Sequence, residues 1–267
     1  MIRAGIPIGP ALAISLGIVV ACPVFGQSLN LASDTDGGPI EIFADDGIEW
    51  QRGNEVLIAR GNARAVRKDI SVTADVLRAH YASRSDGATE LSRLDAAGGV
   101  KIASPSEKVT GDSAVYNLEK ALLVVYGDRV RLDAGNDQIT ANKQMEYWER
   151  RQMAVARGRA VGLHDGKRIR ADVLVAFLRP DRQGKSRVFR VQAFDNVVIQ
   201  TEIDTVRANK GVYNVDSGIA TLTGNVRITR GENQFAGDRA EVDLNTGISK
   251  LLSAPGEPVR GLLVPRK

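Results

Sequence analysis

Sulfur and imidazole are nearly absent from this chain: its 267 residues include one cysteine, Cys22, and two histidines, His80 and His164. Aromatic residues make up 5%, so large planar contact surfaces are scarce. The histidines lie 84 residues apart (164 − 80 = 84), in no spaced metal motif, and read as surface or edge residues. Gly-x-Ser-x-Gly, phosphate-loop and dinucleotide patterns are missing as well. No apolar run reaches the roughly 20 residues that a membrane-spanning helix needs.

The one apolar run of note is Ala11 to Ala21, preceded by Arg3, Pro7 and Pro10. It has the length of a signal-peptide core, about 7 to 15 residues. Residues 1–26 are therefore expected to be a signal peptide cleaved after Gly26, and the mature protein to be exported. A mature chain starting at Gln27 holds no cysteine, which excludes disulfides, thiol catalysis and zinc–thiolate sites. The competing reading, Val19-Val20-Ala21-Cys22, resembles a lipoprotein box and would put a lipid on Cys22. Residues 27–38 are small, polar and end in Gly37-Gly38, as expected of a flexible mature N-terminus.

What the chain has in quantity is alternation and repetition. Runs such as Val226-Arg227-Ile228-Thr229 and Ala240-Glu241-Val242-Asp243 alternate apolar and polar residues and are separated by Gly, Asn and Asp, the signature of strands with turns between them. Turn-like pairs stand at Gly61-Asn62, Gly98-Gly99, Gly127-Asp128, Gly158-Arg159, Asp195-Asn196 and Gly224-Asn225. Each has a second small-polar pair downstream: Ala74-Asp75, Gly111-Asp112, Ala141-Asn142, Ala171-Asp172, Ala208-Asn209 and Gly237-Asp238. The offset is 13 residues in five cases (74 − 61 = 13) and 14 in one (141 − 127 = 14). A longer period overlies this one: Gly158 follows Gly61 by 97 residues (158 − 61 = 97), and Ala74-Asp75-Val76-Leu77 recurs as Ala171-Asp172-Val173-Leu174.

A single hairpin cannot bury its apolar face, so six hairpin-like units must share one interior. The first pairs suit tight hairpin turns, which need positive φ. The expected fold is all-β, an antiparallel β-jelly-roll or open elongated trough over 39–253. Duplicated blocks fall at about 45–141 and 142–240, and the Pro-containing stretch 254–267 is expected to be a tail.

Chemistry is hard to find. Asp45-Asp46 and the aspartates of the repeat pairs are better explained by turns than by paired acid catalysis. Trp50 and Trp148 recur with the repeats and read as packing residues. The charge of +4 comes from 36 Lys and Arg interleaved with 32 Asp and Glu. It permits an anionic ligand, while the absence of a basic cluster with interleaved aromatics argues against nucleic acid. Alternation turns Val100 and Ile102, Val130 and Leu132, Val197 and Ile199, and Val226 and Ile228 to one face. A closed sheet would make that face a core; open edges would make it a groove for acyl chains, at about 0.8 kcal/mol per buried CH₂.

The stretch Asp34-Thr35-Asp36, Pro39-Ile40-Glu41-Ile42-Phe43-Ala44-Asp45 and Glu49-Trp50, with the Gly61-Asn62 and Ala74-Asp75 pairs, resembles the OstA-like, LptA-type family of periplasmic lipopolysaccharide-transport proteins. Gly224-Asn225-Val226-Arg227-Ile228 is the cleanest copy of that family's repeat. The resemblance implies a β-jelly-roll whose interior holds the acyl chains of lipid A, with Ile40 and Ile42 on the lipid-facing first strand. It implies no catalysis and no cofactor. The implied partners are lipopolysaccharide, an inner-membrane export complex at the N-terminal edge, an outer-membrane translocon at the C-terminal edge, and head-to-tail copies of the chain. An inner-membrane-docking relative, an envelope enzyme acting on polysaccharide and a purely structural scaffold are the alternatives. The enzyme's mark would be carboxylates at inward positions.

Overall fold

The computed structural model describes residues 39–83, 89–164, 166–182, 186–243, 246, 248–253 and 258–264. The expected signal peptide and the 27–38 segment lie outside the described residues. The described residues form eighteen strands: β1 (Glu41–Phe43), β2 (Gly47–Gln51), β3 (Val56–Arg67), β4 (Ile70–Ser83), β5 (Thr89–Ala103), β6 (Glu107–Asn117), β7 (Leu122–Tyr126), β8 (Val130–Ala134), β9 (Asp137–Ala141), β10 (Gln144–Trp148), β11 (Met153–His164), β12 (Lys167–Pro180), β13 (Ser186–Gln200), β14 (Thr205–Asn214), β15 (Ile219–Arg230), β16 (Asn233–Asp243), β17 (Ser249–Leu252) and β18 (Arg260–Leu262). Their pairing is antiparallel throughout, and they make one sheet.

That sheet is creased lengthwise into two facing layers. The short strands belong to one layer each. β1, β8, β9 and β18 lie in the first, and β2, β7, β10 and β17 in the second. The long strands cross the crease: β6 pairs with β8 through Glu107–Thr110 and with β7 through Ser113–Asn117.

The crease is where the Gly-Asn pairs sit, which corrects their assignment to hairpin turns. Arg60 pairs with Val76 and Ala63 with Ala74, so Gly61-Asn62 together oppose the single residue Asp75. The same two-against-one bulge recurs at Gly98-Gly99, Gly158-Arg159, Asp195-Asn196 and Gly224-Asn225. Positive φ is required here as it would be in a turn: Gly224 and Asn225 stand at +76° and +52°. A side chain at Gly224 would put its Cβ 2.7 Å from the side-chain Nδ2 of Asn209. Paired bulges bend a strand and strengthen its twist, and aligned across the sheet they make a fold line. Asp75, Asp112, Asp172 and Asp238 are therefore bulge partners in mid-strand rather than turn residues, while Asp128 lies in the turn between β7 and β8 and Asp45-Asp46 in the bend between β1 and β2. Asn62 donates to the Asp45 carboxylate at 2.8 Å, and Asn196 to Asp172 at 2.8 Å.

Close approach of the layers limits side-chain size beside the crease. In the first layer the inward residues nearest the bulges are Ala63, Ala74, Val100, Gly111, Val130, Ala141, Ala160, Ala171, Val197, Ala208, Val226 and Gly237. Every one is Gly, Ala or Val.

The 97-residue period holds at the level of elements. β3, β4 and β5 begin at 56, 70 and 89, and β11, β12 and β13 at 153, 167 and 186 (153 − 56 = 97). The 3₁₀ turns Arg52–Asn54 and Glu149–Arg151 keep the same spacing. The stretch expected to be a tail contributes β18, which pairs with Gln234–Ala236 of β16 and covers what would otherwise be an open edge in the first layer.

Candidate functional site

Between the layers lie two cavities. One, of about 600 Å³, is lined by Ile40 and Ile42, by Trp50, Leu57 and Tyr81, and by Leu94 and Ile102 farther in. It opens at the N-terminal edge, where Trp50 is 58% exposed. The Trp50 indole donates to the Tyr81 hydroxyl at 2.5 Å and is covered by the Arg52 guanidinium. The second, of about 170 Å³, runs among Val109, Leu132, Ile139, Ile169, Val197 and Ile199. Leu123 lines both, so the two spaces share a wall at the middle of the molecule.

Ile40 and Ile42, singled out by the resemblance, and the residues singled out by alternation all face the interior, but in different surroundings. Ile40, Ile42 and Ile102 line the larger cavity, and Leu132, Val197 and Ile199 the smaller one. Val100, Val130, Val226 and Ile228 line neither and are packed in the two apolar clusters of the core.

Sequence reasoning missed the polar end of the smaller cavity, where it expected only aliphatic inward positions. In the first layer Glu107 stands opposite Ala134, Ala134 opposite Asp137, and His164 opposite Lys167. The His164 ring contacts the Asp137 carboxylate. Glu107, Asp137, His164 and Lys167 all line the cavity. His164 is thus a largely buried residue of the interior, not the surface or edge residue expected. His80 is more exposed and bonds Asp95 at 3.0 Å.

Glu107 is only 6% exposed, and its Oε1 has no hydrogen-bond partner. Burial raises its pKa to about 8. A second interior acid, Glu149, accepts from the Tyr116 hydroxyl at 3.1 Å, and burial raises it to about 7. Among the described residues no group of three or more His, Cys, Asp or Glu is arranged to hold a metal ion.

The outer surface of the first layer carries a row of cations. Arg64, Lys101, Arg131, Arg170, Arg207, Arg227 and Arg260 occupy one cross-strand line that contains no acid. Of these, Arg131 is paired with Asp133 at 2.7 Å.

A family model described as "LptA/(LptD N-terminal domain) LPS transport protein" matches residues 41–153 and again 138–248. The two matches begin 97 residues apart (138 − 41 = 97), at the period of the elements. An uncharacterized protein of Rhizobium meliloti (strain 1021) is 26% identical over 149 residues, covering 53% of this chain and 78% of that protein. The crystal structure of LptH, the LptA homologous periplasmic component of the lipopolysaccharide transport device from Pseudomonas aeruginosa, aligns over 85% of this chain and 96% of its own. That alignment is at 11% identity and a TM-score of 0.21, an overlap too loose to carry a structural argument.

Proposed function

The chain belongs to the LptA/(LptD N-terminal domain) family of LPS transport proteins, and on that premise we propose that it binds lipopolysaccharide in the periplasm and passes it along its interior without bond chemistry. The observation that carries this reading is the cavity of about 600 Å³ between the layers, mostly apolar in lining and open at the N-terminal edge beside Ile40, Ile42 and Trp50. Acyl chains would enter there, each buried CH₂ contributing about 0.8 kcal/mol. Phosphorylated head groups would stay at the rim, near cations such as Lys167 and Arg168. Residues 39–253, with β18 added at the C-terminal edge, act on this reading as one trough made of two blocks, 45–141 and 142–240. Residues 1–26 direct export.

The trough would bridge an inner-membrane export complex at its N-terminal edge and an outer-membrane translocon at its C-terminal edge, singly or in head-to-tail copies. Both edges support this. β1 and β2 leave one side unpaired, with Phe43 and Ile48 exposed, while β17 and β18 end the sheet beside exposed Leu252, Leu262 and Leu263. Unpaired strand edges recruit further strands.

Neighbouring residues on β1 give the test. Ile42 faces the cavity and Phe43 the outside. A photoreactive group at 42 should crosslink to lipopolysaccharide in the living envelope, one at 43 should not, and Ile42→Asp should reduce the lipid that copurifies by at least several-fold. Equal crosslinking from both positions, or from neither, would overturn the interior as the lipid path.

A further inference from the structure

The duplication supplies an internal control for Glu107. Its counterpart 97 residues on is Asp204 (204 − 107 = 97), and the two sit in matching turns. The Glu107 N–H donates to Ser104 Oγ at 3.2 Å and the Asp204 N–H to Thr201 Oγ1 at 3.0 Å, while the Ser104 and Thr201 N–H groups donate back to the carbonyls of Glu107 and Asp204, each at 2.9 Å. Both acids are buried, but only one is neutralised. Arg230 grips Asp204 through two bonds of 2.7 Å. The residue facing Glu107 across the strands is Ala134, whose methyl can do nothing of the kind. In the second block the fold solves a buried carboxyl by supplying a guanidinium. In the first it leaves Oε1 without a partner on the wall of a cavity.

We infer that the Glu107 end of the smaller cavity is a hydrogen-bonding subsite for a hydroxyl or amide group carried on an acyl chain. The inference rests on reading the cavities as lipid sites and adds a selectivity to them. Most of the lining is aliphatic, including Val109, Leu132, Ile139 and Ile169, so what enters must be largely hydrocarbon. An unmet buried polar atom costs free energy that a ligand group of the right kind recovers. A site that hydrogen-bonds a hydroxyl discriminates against the analogue lacking it, because its own polar group is then left unpaired. Burial keeps the Glu107 carboxyl largely protonated near neutral pH, so the side chain offers an O–H donor as well as a carbonyl acceptor and repels no uncharged amphiphile.

The test uses two uncharged probes that differ by one hydroxyl, methyl 3-hydroxydodecanoate and methyl dodecanoate, each displacing a fluorescent fatty-acid analogue from the full chain. The wild-type protein should favour the hydroxylated ester by about five- to tenfold, the equivalent of one ordinary hydrogen bond. Glu107→Leu should erase the preference while leaving the plain ester bound at least as well, and Glu107→Gln, which keeps a donor and an acceptor, should retain it. Glu107→Leu removes an unpaired buried carboxyl and should fold, which a denaturation curve checks. Equal binding of both esters by the wild type, or an unchanged preference in Glu107→Leu, would overturn the subsite while leaving the lipid path intact. Failure of both esters to displace the probe would overturn it too, and crosslinking at Ile42 then decides separately whether the transport reading survives.

Discussion

Two interior acids make this protein's stability depend on pH in an unusual direction. Glu107 and Glu149 have folded-state pKa values raised by burial to about 8 and about 7. Unfolded, both would titrate near the ordinary 4.5. Below that value both states are protonated and burial costs little. Above it the unfolded chain releases protons that the folded chain must keep, so stability falls as pH rises and levels off only once the folded-state values are passed. Chemical denaturation from pH 4.5 to 8.5 should show that decline, and Glu107→Leu should flatten it and raise stability at the upper end. These acids were not legible in the sequence. Glu107 and Asp137 are 30 residues apart (137 − 107 = 30), and only the register of β6, β8 and β9 brings them to one rim. One signal was present: Glu107 aligns with Asp204 at the repeat spacing (204 − 107 = 97), whereas the match of Ala134 to Arg230, 96 residues on (230 − 134 = 96), follows only from the strand register.

The crease is the element on which the architecture turns, and the sequence announces it ambiguously. Positive φ is wanted both at tight hairpin turns and at these bulges, so composition alone does not separate them. The 13-residue offset does: a pair and its Ala-Asp partner lie across from each other, so the turn must fall midway, as at Lys68-Asp69 between β3 and β4. Period-two alternation fared better. It placed Val100, Val130, Val197 and Val226 on the inner face because antiparallel registry leaves no other parity, yet it could not tell which of them meet a cavity and which are sealed against the crease. Tight approach at the crease makes a definite demand at Gly111. A Cβ there would lie 2.5 Å from Val125 Cγ1 and 2.8 Å from the Tyr126 carbonyl oxygen. Gly111→Ala should therefore cost about 1 to 3 kcal/mol through overpacking, read from the shift of the denaturant midpoint at constant slope.

At the scale of the molecule, the two blocks are joined as closely as strands within either one. β7 pairs with β10 and β9 with β11 across the block boundary, so no linker divides them. Hydrogen exchange should show protection greatest in β5, β6, β11 and β12 and least in β1, β2, β17 and β18, whose strands have a neighbour on one side only. A minimum at the block boundary would contradict that continuity. The same continuity makes length a matter of copy number. From β3 to β11 the sheet advances six strand positions, about 29 Å at a strand spacing of about 4.8 Å. One more 97-residue cassette, spliced at the same phase, would extend the reach of the protein by that step without disturbing either end. The fold is in that sense a ruler whose gradations are duplications, and relatives with different numbers of cassettes would suit gaps of different width.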